Sequence, residues 1–159
     1  MDVTLYRQMV GSLMYLTNKR PDICFVVNTM SQYMEQPRQV HLVASKHVIR
    51  YLKGTLDFGL RYVTDHEFGL YGYSDSDWAD SIPDQKSTLA YCFSLGSNMV
   101  FWSSMKQPCV ALNMDGDEYV GACATCRESM WIRKLISGLF GLKLEVTYIW
   151  CDNQSCMKL

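Results

Sequence analysis

Residues 70–77 read Leu-Tyr-Gly-Tyr-Ser-Asp-Ser-Asp, and this stretch decides the fold. Its aromatic residues favour a β-strand, and its acidic residues come where that strand ends. Similar short runs at 60–63, 88–95 and 99–103 are divided by turn residues. The sequence therefore predicts antiparallel strands at 60–63, 70–74, 88–95 and 99–103, with Asp75 at the end of the second.

A long helix and a further strand follow these runs. Apolar residues recur at helical spacing from Asp115 to about Leu139, and Gly141 follows the helix. Val146–Cys151 is apolar and β-branched, which predicts a strand that ends at Asp152. This order of elements predicts a mixed α/β fold.

The first third of the chain has a different pattern. Apolar residues at helical spacing predict three amphipathic helices, at about 5–16, 22–34 and 40–53. We therefore divide the chain into a helical segment, residues 1–56, and an α/β domain, residues 57–159.

Three acidic residues occupy chemically suggestive places in this arrangement. Asp75 and Asp152 end strands, and Glu118 lies in the first turns of the long helix. Carboxylates brought together in this way are the ligands that Mg²⁺ prefers, and two such ions can hydrolyse a phosphodiester. The alternative is structural, because Asp is a common turn residue and Glu early in a helix favours the macrodipole.

Composition narrows the function classes. The 15 basic and 16 acidic residues nearly balance, so no strong field draws the chain to polyanions. No apolar run predicts a signal peptide or a membrane span. Seven scattered cysteines indicate reduced, buried thiols. Cys123 and Cys126 form a C-x-x-C within the predicted helix, where core packing is favoured over metal binding because a second ligand pair is missing.

Ordered blocks along almost the whole chain resemble the Ty1/copia-type retrotransposon Pol polyprotein, in its connection and ribonuclease H region. The blocks that carry the resemblance are Tyr6–Thr17, Arg20–Ile23, Arg50–Thr55, Gly72–Ala79, Lys86–Thr88, Phe101–Ser104, Lys106–Gln107, Val110–Leu112, Glu118–Tyr119, Trp131–Leu135 and Cys151–Ser155.

The resemblance implies a ribonuclease H-like mixed sheet with flanking helices, preceded by a helical connection segment that follows a reverse transcriptase. It also implies catalytic and metal-binding roles for Asp75, Glu118 and Asp152, with two Mg²⁺ ions as cofactors. The implied substrate is the RNA strand of an RNA:DNA hybrid, and the implied partner is the reverse transcriptase body. Such a product would act in the cytoplasm or the nucleus. Asn153, Gln154 and Ser155 would be polar contacts beside the acids, unless they only begin a helix.

Two departures from the family pattern leave activity open. Asn113–Asp117 replaces the Ser-Ser-Thr-Glu-Ala usual in the family, which puts Gly116 at the helix start and Asp117 beside Glu118. The family continues past Asp152 with a helix, a strand and a further acidic region, so we expect this domain to be truncated at its C-terminus. Both an active nuclease and an inactive remnant remain compatible with the sequence.

A second resemblance points to another class of function. Sequences of this type are also similar to secreted RxLR effectors of plant-pathogenic oomycetes, and Arg50-Tyr51-Leu52-Lys53 resembles that motif with Lys in the last place. This alternative implies a secreted, non-enzymatic protein that enters host plant cells, binds a host protein and suppresses defence-related cell death. The motif also falls inside the third predicted helix, where a solvated helical end explains it.

Overall fold

The computed structural model describes residues 2–63, 68–77, 86–107 and 114–152. The chain divides into two compact units, residues 1–60 and residues 61–159. The assignment of residues 1–56 to a connection segment and of residues 57–159 to a ribonuclease H-like domain stays a prediction. Among the described residues, no helix has both the length and the apolar character that a membrane span requires.

The first unit is helical. Helix α1 spans Val3–Leu16, a 3₁₀ turn spans Pro21–Ile23, α2 spans Cys24–Ser31 and α3 spans Gln39–Gly54. Asp2 caps α1 by accepting a hydrogen bond from the Leu5 backbone N–H at 3.0 Å. The helices share a core built from all three of them, namely Tyr6, Val10, Leu13, Ile23, Val27, Met30, Leu42 and Val48.

Helix α2 ends earlier than the sequence predicts, at Ser31 rather than near residue 34. Side chains of α1 bind the carbonyl groups at this point. The Tyr6 hydroxyl donates to the Met30 carbonyl at 2.8 Å, and Arg7 Nε donates to the Met34 carbonyl at 2.8 Å. Because α1 satisfies these carbonyls, the chain can leave the helix without losing hydrogen bonds.

A buried arginine joins two of the sequence blocks within this unit. Arg20 donates two hydrogen bonds to Asp22, at 2.9 and 2.6 Å, and its Nη1 donates to the Thr55 carbonyl at 3.0 Å. The Tyr51 hydroxyl donates to Asp22 at 2.9 Å. The hydrogen bonds from Arg20 hold the pKa of the Asp22 carboxyl below its usual value. The blocks 20–23 and 50–55 therefore have a structural role, because their hydrogen bonds connect the 3₁₀ turn to the end of α3.

The second unit is built around a four-stranded mixed sheet. Strand β1 spans Leu70–Asp77, β2 spans Thr88–Leu95, β3 spans Asn98–Lys106 and β4 spans Tyr148–Cys151, in the order β3-β2-β1-β4. Strands β1, β2 and β3 pair antiparallel, and β4 pairs parallel to β1. Helix α4, Met114–Phe140, connects β3 to β4. This is the ribonuclease H-like α/β fold that the sequence predicts.

The strand predicted at 60–63 is wrong. This segment forms no strand, and its hydrogen-bond partners include the side chains of Ser97 and Asn98, where β2 turns into β3. Ser97 Oγ accepts from the Val63 backbone N–H at 2.9 Å, and Asn98 Nδ2 donates to the Arg61 carbonyl at 2.6 Å. A strand requires a series of backbone hydrogen bonds to a neighbouring strand, and an apolar sequence pattern alone does not show whether such a neighbour exists.

Helix α4 approaches the sheet closely over β1 and β2. A Cβ added at Gly121 would lie 3.0 Å from Leu89 Cδ1 and 3.6 Å from Ser74 Oγ. Thr125, one turn further on, donates from its hydroxyl to Ser74 Oγ at 3.0 Å. The core beneath the helix contains Leu70, Leu89, Tyr91, Phe93, Ile132, Ile136 and Leu144.

The predicted burial of the C-x-x-C cysteines is wrong, because both Cys123 and Cys126 are exposed. The buried positions of α4 recur at helical spacing through Gly121, Thr125 and Ser129. The two cysteines lie between these positions and therefore fall off the packed face.

We predict that Gly121→Val destabilises the second unit by about 1–3 kcal/mol, because the new side chain overpacks the contact with Leu89. Gly138→Val is the matched control, since the same helix leaves open space around Gly138. Urea unfolding of both variants checks this prediction. Equal midpoints for the two variants would show that α4 does not pack closely at Gly121.

Candidate functional site

Two acidic residues lie where the parallel pairing of two neighbouring strands ends. Strand β1 itself continues past Asp75 to Asp77, so the prediction that Asp75 ends this strand is wrong. Strands β1 and β4 pair in parallel up to Ser74 and Cys151, which are register partners. Asp75 and Asp152 each follow one of these partners directly. Because Ser74 and Cys151 are register partners, the two predicted site residues that follow them lie at the same edge of the sheet.

Helix α4 brings Glu118 to the same edge. Glu118 is only 5% exposed, and its Oε2 accepts a hydrogen bond from Cys151 Sγ at 3.5 Å. One potential metal-ligand atom from each of Glu118, Cys151 and Asp152 lies within 4.8 Å of the other two. Helix and strand thus place two of the three predicted carboxylates and a thiol in one cluster.

Asp75 lies beside this cluster without belonging to it. Its neighbours Ser74 and Ser76 are buried, whereas Asp75 is exposed. Because successive side chains of a strand point to opposite faces, Asp75 leans away from α4 at this point. Its charge nevertheless acts on Glu118, so Asp75 remains electrostatically part of the site.

The environment of Glu118 disfavours its ionised form. Burial is the main cause that raises the pKa of Glu118, and the negative charges of Asp152, Asp75 and Asp117 raise it further. The hydrogen bond from Cys151 acts in the opposite direction. A cation bound at this edge would relieve the repulsion that raises this pKa.

Asp117, which precedes Glu118 on α4, is fully buried. It accepts a hydrogen bond from the Ser76 hydroxyl on β1, and Gln107 Nε2 donates to Ser76 Oγ at 3.4 Å. Among the described residues, no donor reaches Asp117 Oδ1 or complements Gln107 Oε1. The start of α4 is therefore tied to β1 by a buried polar network.

The sequence places Asp117 beside Glu118 but does not predict its burial, and it assigns Cys151 only to an apolar strand. Two features of the sequence could have indicated a role for Cys151. It directly precedes Asp152, and because successive side chains of a strand point to opposite faces, it lies on the face of β4 that is directed toward α4. The predicted contacts Asn153, Gln154 and Ser155 lie outside the described residues.

The opposite face of the sheet carries aromatic side chains. Tyr73 stacks on Trp150 with ring centroids 5.0 Å apart, and Tyr71 and Tyr148 lie beside the same indole. Tyr73, Tyr148 and Trp150 are exposed. These contacts cross the β1–β4 pair and support its register.

Comparison with known proteins identifies the family. The chain is 41% identical over 153 residues to the retrovirus-related Pol polyprotein from transposon RE1 of Arabidopsis thaliana, which is 96% of this chain and 10% of that polyprotein. It is 42% identical over 153 residues to the corresponding polyprotein from transposon RE2, with the same coverage. The chain belongs to the Ty1/copia-type retrotransposon Pol family.

This retrotransposon-derived chain spans about a tenth of the length of these polyproteins. It is also 38% identical over 128 residues to Secreted RxLR effector protein 161 of Plasmopara viticola, which is 80% of this chain and 90% of that protein. No protein-family model matches the chain, and no solved structure matches it.

We predict that Glu118→Gln raises stability increasingly as the pH rises above 4.5, the ordinary pKa of a glutamate. The pKa of Glu118 is raised in the folded chain, so ionisation costs folded-state free energy once the pH passes that value. The loss is complete above the raised pKa, and glutamine avoids it. Thermal unfolding of wild type and variant across this pH range checks the prediction. A stability difference independent of pH would contradict it.

Proposed function

We propose that this chain is a ribonuclease H domain of a retrotransposon, and that it hydrolyses the RNA strand of RNA:DNA hybrids. The observation that carries the proposal is the meeting of Glu118 and Asp152 at the strand edge that also holds Asp75. The relatives support it because they are Pol polyproteins of retrotransposons.

The residues at this edge fit Mg²⁺. Carboxylate oxygens from Asp75, Glu118 and Asp152 are hard ligands of the kind that Mg²⁺ prefers, and the mutual repulsion around Glu118 favours a bound cation. When bound, a pair of Mg²⁺ ions supplies an activated water and charge stabilisation for the leaving oxygen of the phosphodiester.

The protein's own contribution is positioning. Glu118 is held by the packing of α4 through Gly121 and Thr125, and by the Asp117–Ser76 hydrogen bond next to it. Asp152 is exposed at the end of β4, where a phosphate backbone can reach it. A rigid buried acid beside accessible ones suits a site that must hold cations while it admits a polymer.

The near balance of charges predicts that the chain alone binds a hybrid only weakly. With 15 basic and 16 acidic residues, the chain lacks a field that would bind any polyanion tightly. A hybrid is recognised through its backbone shape and its 2′-hydroxyl groups rather than through its base sequence. We propose that the reverse transcriptase body of the same polyprotein provides additional binding contacts to the hybrid. The reaction would take place in the cytoplasm or the nucleus.

We predict Mg²⁺-dependent cleavage of the RNA strand in a labelled RNA:DNA hybrid, with 3′-hydroxyl and 5′-phosphate ends. Asp75→Asn, Glu118→Gln and Asp152→Asn are each expected to reduce the rate at least about 100-fold, because each removes charge from the site. Denaturing gel electrophoresis of the products measures this.

The matched control is Glu145→Gln, an exposed carboxylate before β4 that lies outside the cluster. It should retain the wild-type rate. Absence of cleavage at low salt and high hybrid concentration, by a chain whose circular dichroism shows a folded state, would contradict the nuclease function.

A second function has its own support, namely the similarity to a secreted RxLR effector over 90% of that protein. In this alternative the chain binds a protein of the host plant cell and suppresses defence cell death without catalysis. The motif Arg50–Lys53 lies in α3, where Arg50 and Lys53 are exposed and Tyr51 donates its hydroxyl to Asp22. Tyr51 is also exposed, whereas Leu52 packs against the core of the helical unit, so three of the four motif residues are accessible to a partner.

The effector alternative predicts that the chain suppresses elicitor-induced cell death when it is expressed in leaf cells, and that Glu118→Gln suppresses it equally. Ion leakage from the leaf tissue measures the response. Accumulation of the chain without any suppression would contradict this alternative, and suppression that Glu118→Gln abolishes would assign the effect to the nuclease.

A further inference from the structure

The cluster at the strand edge contains a soft ligand as well as hard ones. Glu118 and Asp152 offer carboxylate oxygens, and Cys151 offers a sulfur, with all three ligand atoms within 4.8 Å of one another. The donors come from two elements, α4 and β4, that the fold holds together. Thiolate ligands select zinc and similar ions over magnesium.

The one sulfur–oxygen distance known within the cluster matches that expected around a tetrahedral ion. Zinc holds a thiolate sulfur at about 2.3 Å and a carboxylate oxygen at about 2.0–2.2 Å, so neighbouring ligand atoms lie about 3.5 Å apart. Cys151 Sγ and Glu118 Oε2 are 3.5 Å apart. An octahedral magnesium ion needs its oxygen ligands only about 3 Å apart and does not use sulfur.

Buried acceptor oxygens next to the cluster in sequence add to the need for a compensating charge or donor. Glu118 is almost completely buried, and the carboxylate of its neighbour Asp117 is fully buried. Among the described residues, no donor reaches Asp117 Oδ1. A surplus of buried acceptor oxygens is costly unless a cation, a donor or water compensates it.

We propose that Glu118, Cys151 and Asp152 form a binding site for a thiophilic divalent cation of the zinc type, with the fourth position open to water. Binding displaces the thiol proton of Cys151 to solvent and involves no oxidation. The site goes beyond the nuclease, because it requires no hydrolysis. One consequence rests on the proposed function, namely that zinc competes with magnesium for Glu118 and Asp152 and so inhibits cleavage.

Cadmium is the probe that tests this site, because a cadmium–thiolate bond gives an ultraviolet charge-transfer band. The full 159-residue chain is titrated with Cd²⁺ alone, and then with Zn²⁺ in competition. We expect one saturable band, which Zn²⁺ displaces and millimolar Mg²⁺ does not. Cys151→Ser should abolish the band and weaken Zn²⁺ binding, measured by calorimetry, at least about tenfold.

The matched controls are Cys123→Ser and Cys126→Ser, exposed thiols on α4 that should leave both signals unchanged. Asp152→Asn is a second test that leaves the thiol in place, and it should weaken Zn²⁺ binding while the cadmium band persists at higher concentration. Circular dichroism confirms that each variant is folded.

A band that survives Cys151→Ser, or that Cys123→Ser removes, would overturn the proposal. Failure of the nuclease is a separate outcome, because metal binding is read without substrate. If cleavage is observed, micromolar Zn²⁺ should inhibit it in the wild type more strongly than in Cys151→Ser.

Discussion

The parallel pairing of β1 with β4 is the constraint on which the rest of the second unit depends. It places Asp75 and Asp152 at one edge, and it turns Cys151 toward α4, where Glu118 lies. A shift of one residue would send each side chain of β4 to the other face. Stacking of Tyr73 on Trp150 across the same pair opposes such a shift, so the aromatic face helps to maintain the site on the other one.

Helix α4 completes the site because it approaches the sheet closely. Gly121 gives the backbone access to β1, Thr125 bonds to Ser74, and Asp117 bonds to Ser76. The small and hydroxyl-bearing residues of β1 thus accommodate the helix, while the aromatic residues of that strand face away from it. The helical first unit has its own polar anchor, in which Arg20 binds Asp22 and Thr55. Each unit is therefore stabilised by buried polar contacts as well as by an apolar core.

Much of this architecture could be predicted from the sequence. Periodicity located α1, α3 and α4 and the strands β1 to β4 to within a few residues, because each has a strong local pattern. The segment at 60–63 could not be judged in this way, since whether an extended run joins a sheet depends on partners distant in the chain. The same holds for the site. The position of Asp152 directly after β4 could be read from local pattern, whereas β1 continues two residues past Asp75 because it stays paired with β2. The burial of Asp117 and the approach of Cys151 to Glu118 result from how α4 docks.

The central claim is that β1, α4 and β4 bring their acidic residues into one cation site. Paramagnetic broadening of backbone amide signals by Mn²⁺ tests this most directly, because it locates a bound divalent ion without requiring activity. The account predicts that, at the lowest Mn²⁺ concentrations, the signals of Asp75, Glu118 and Asp152 broaden before those of the helical unit. Broadening that begins elsewhere, or that is uniform along the chain, would contradict it.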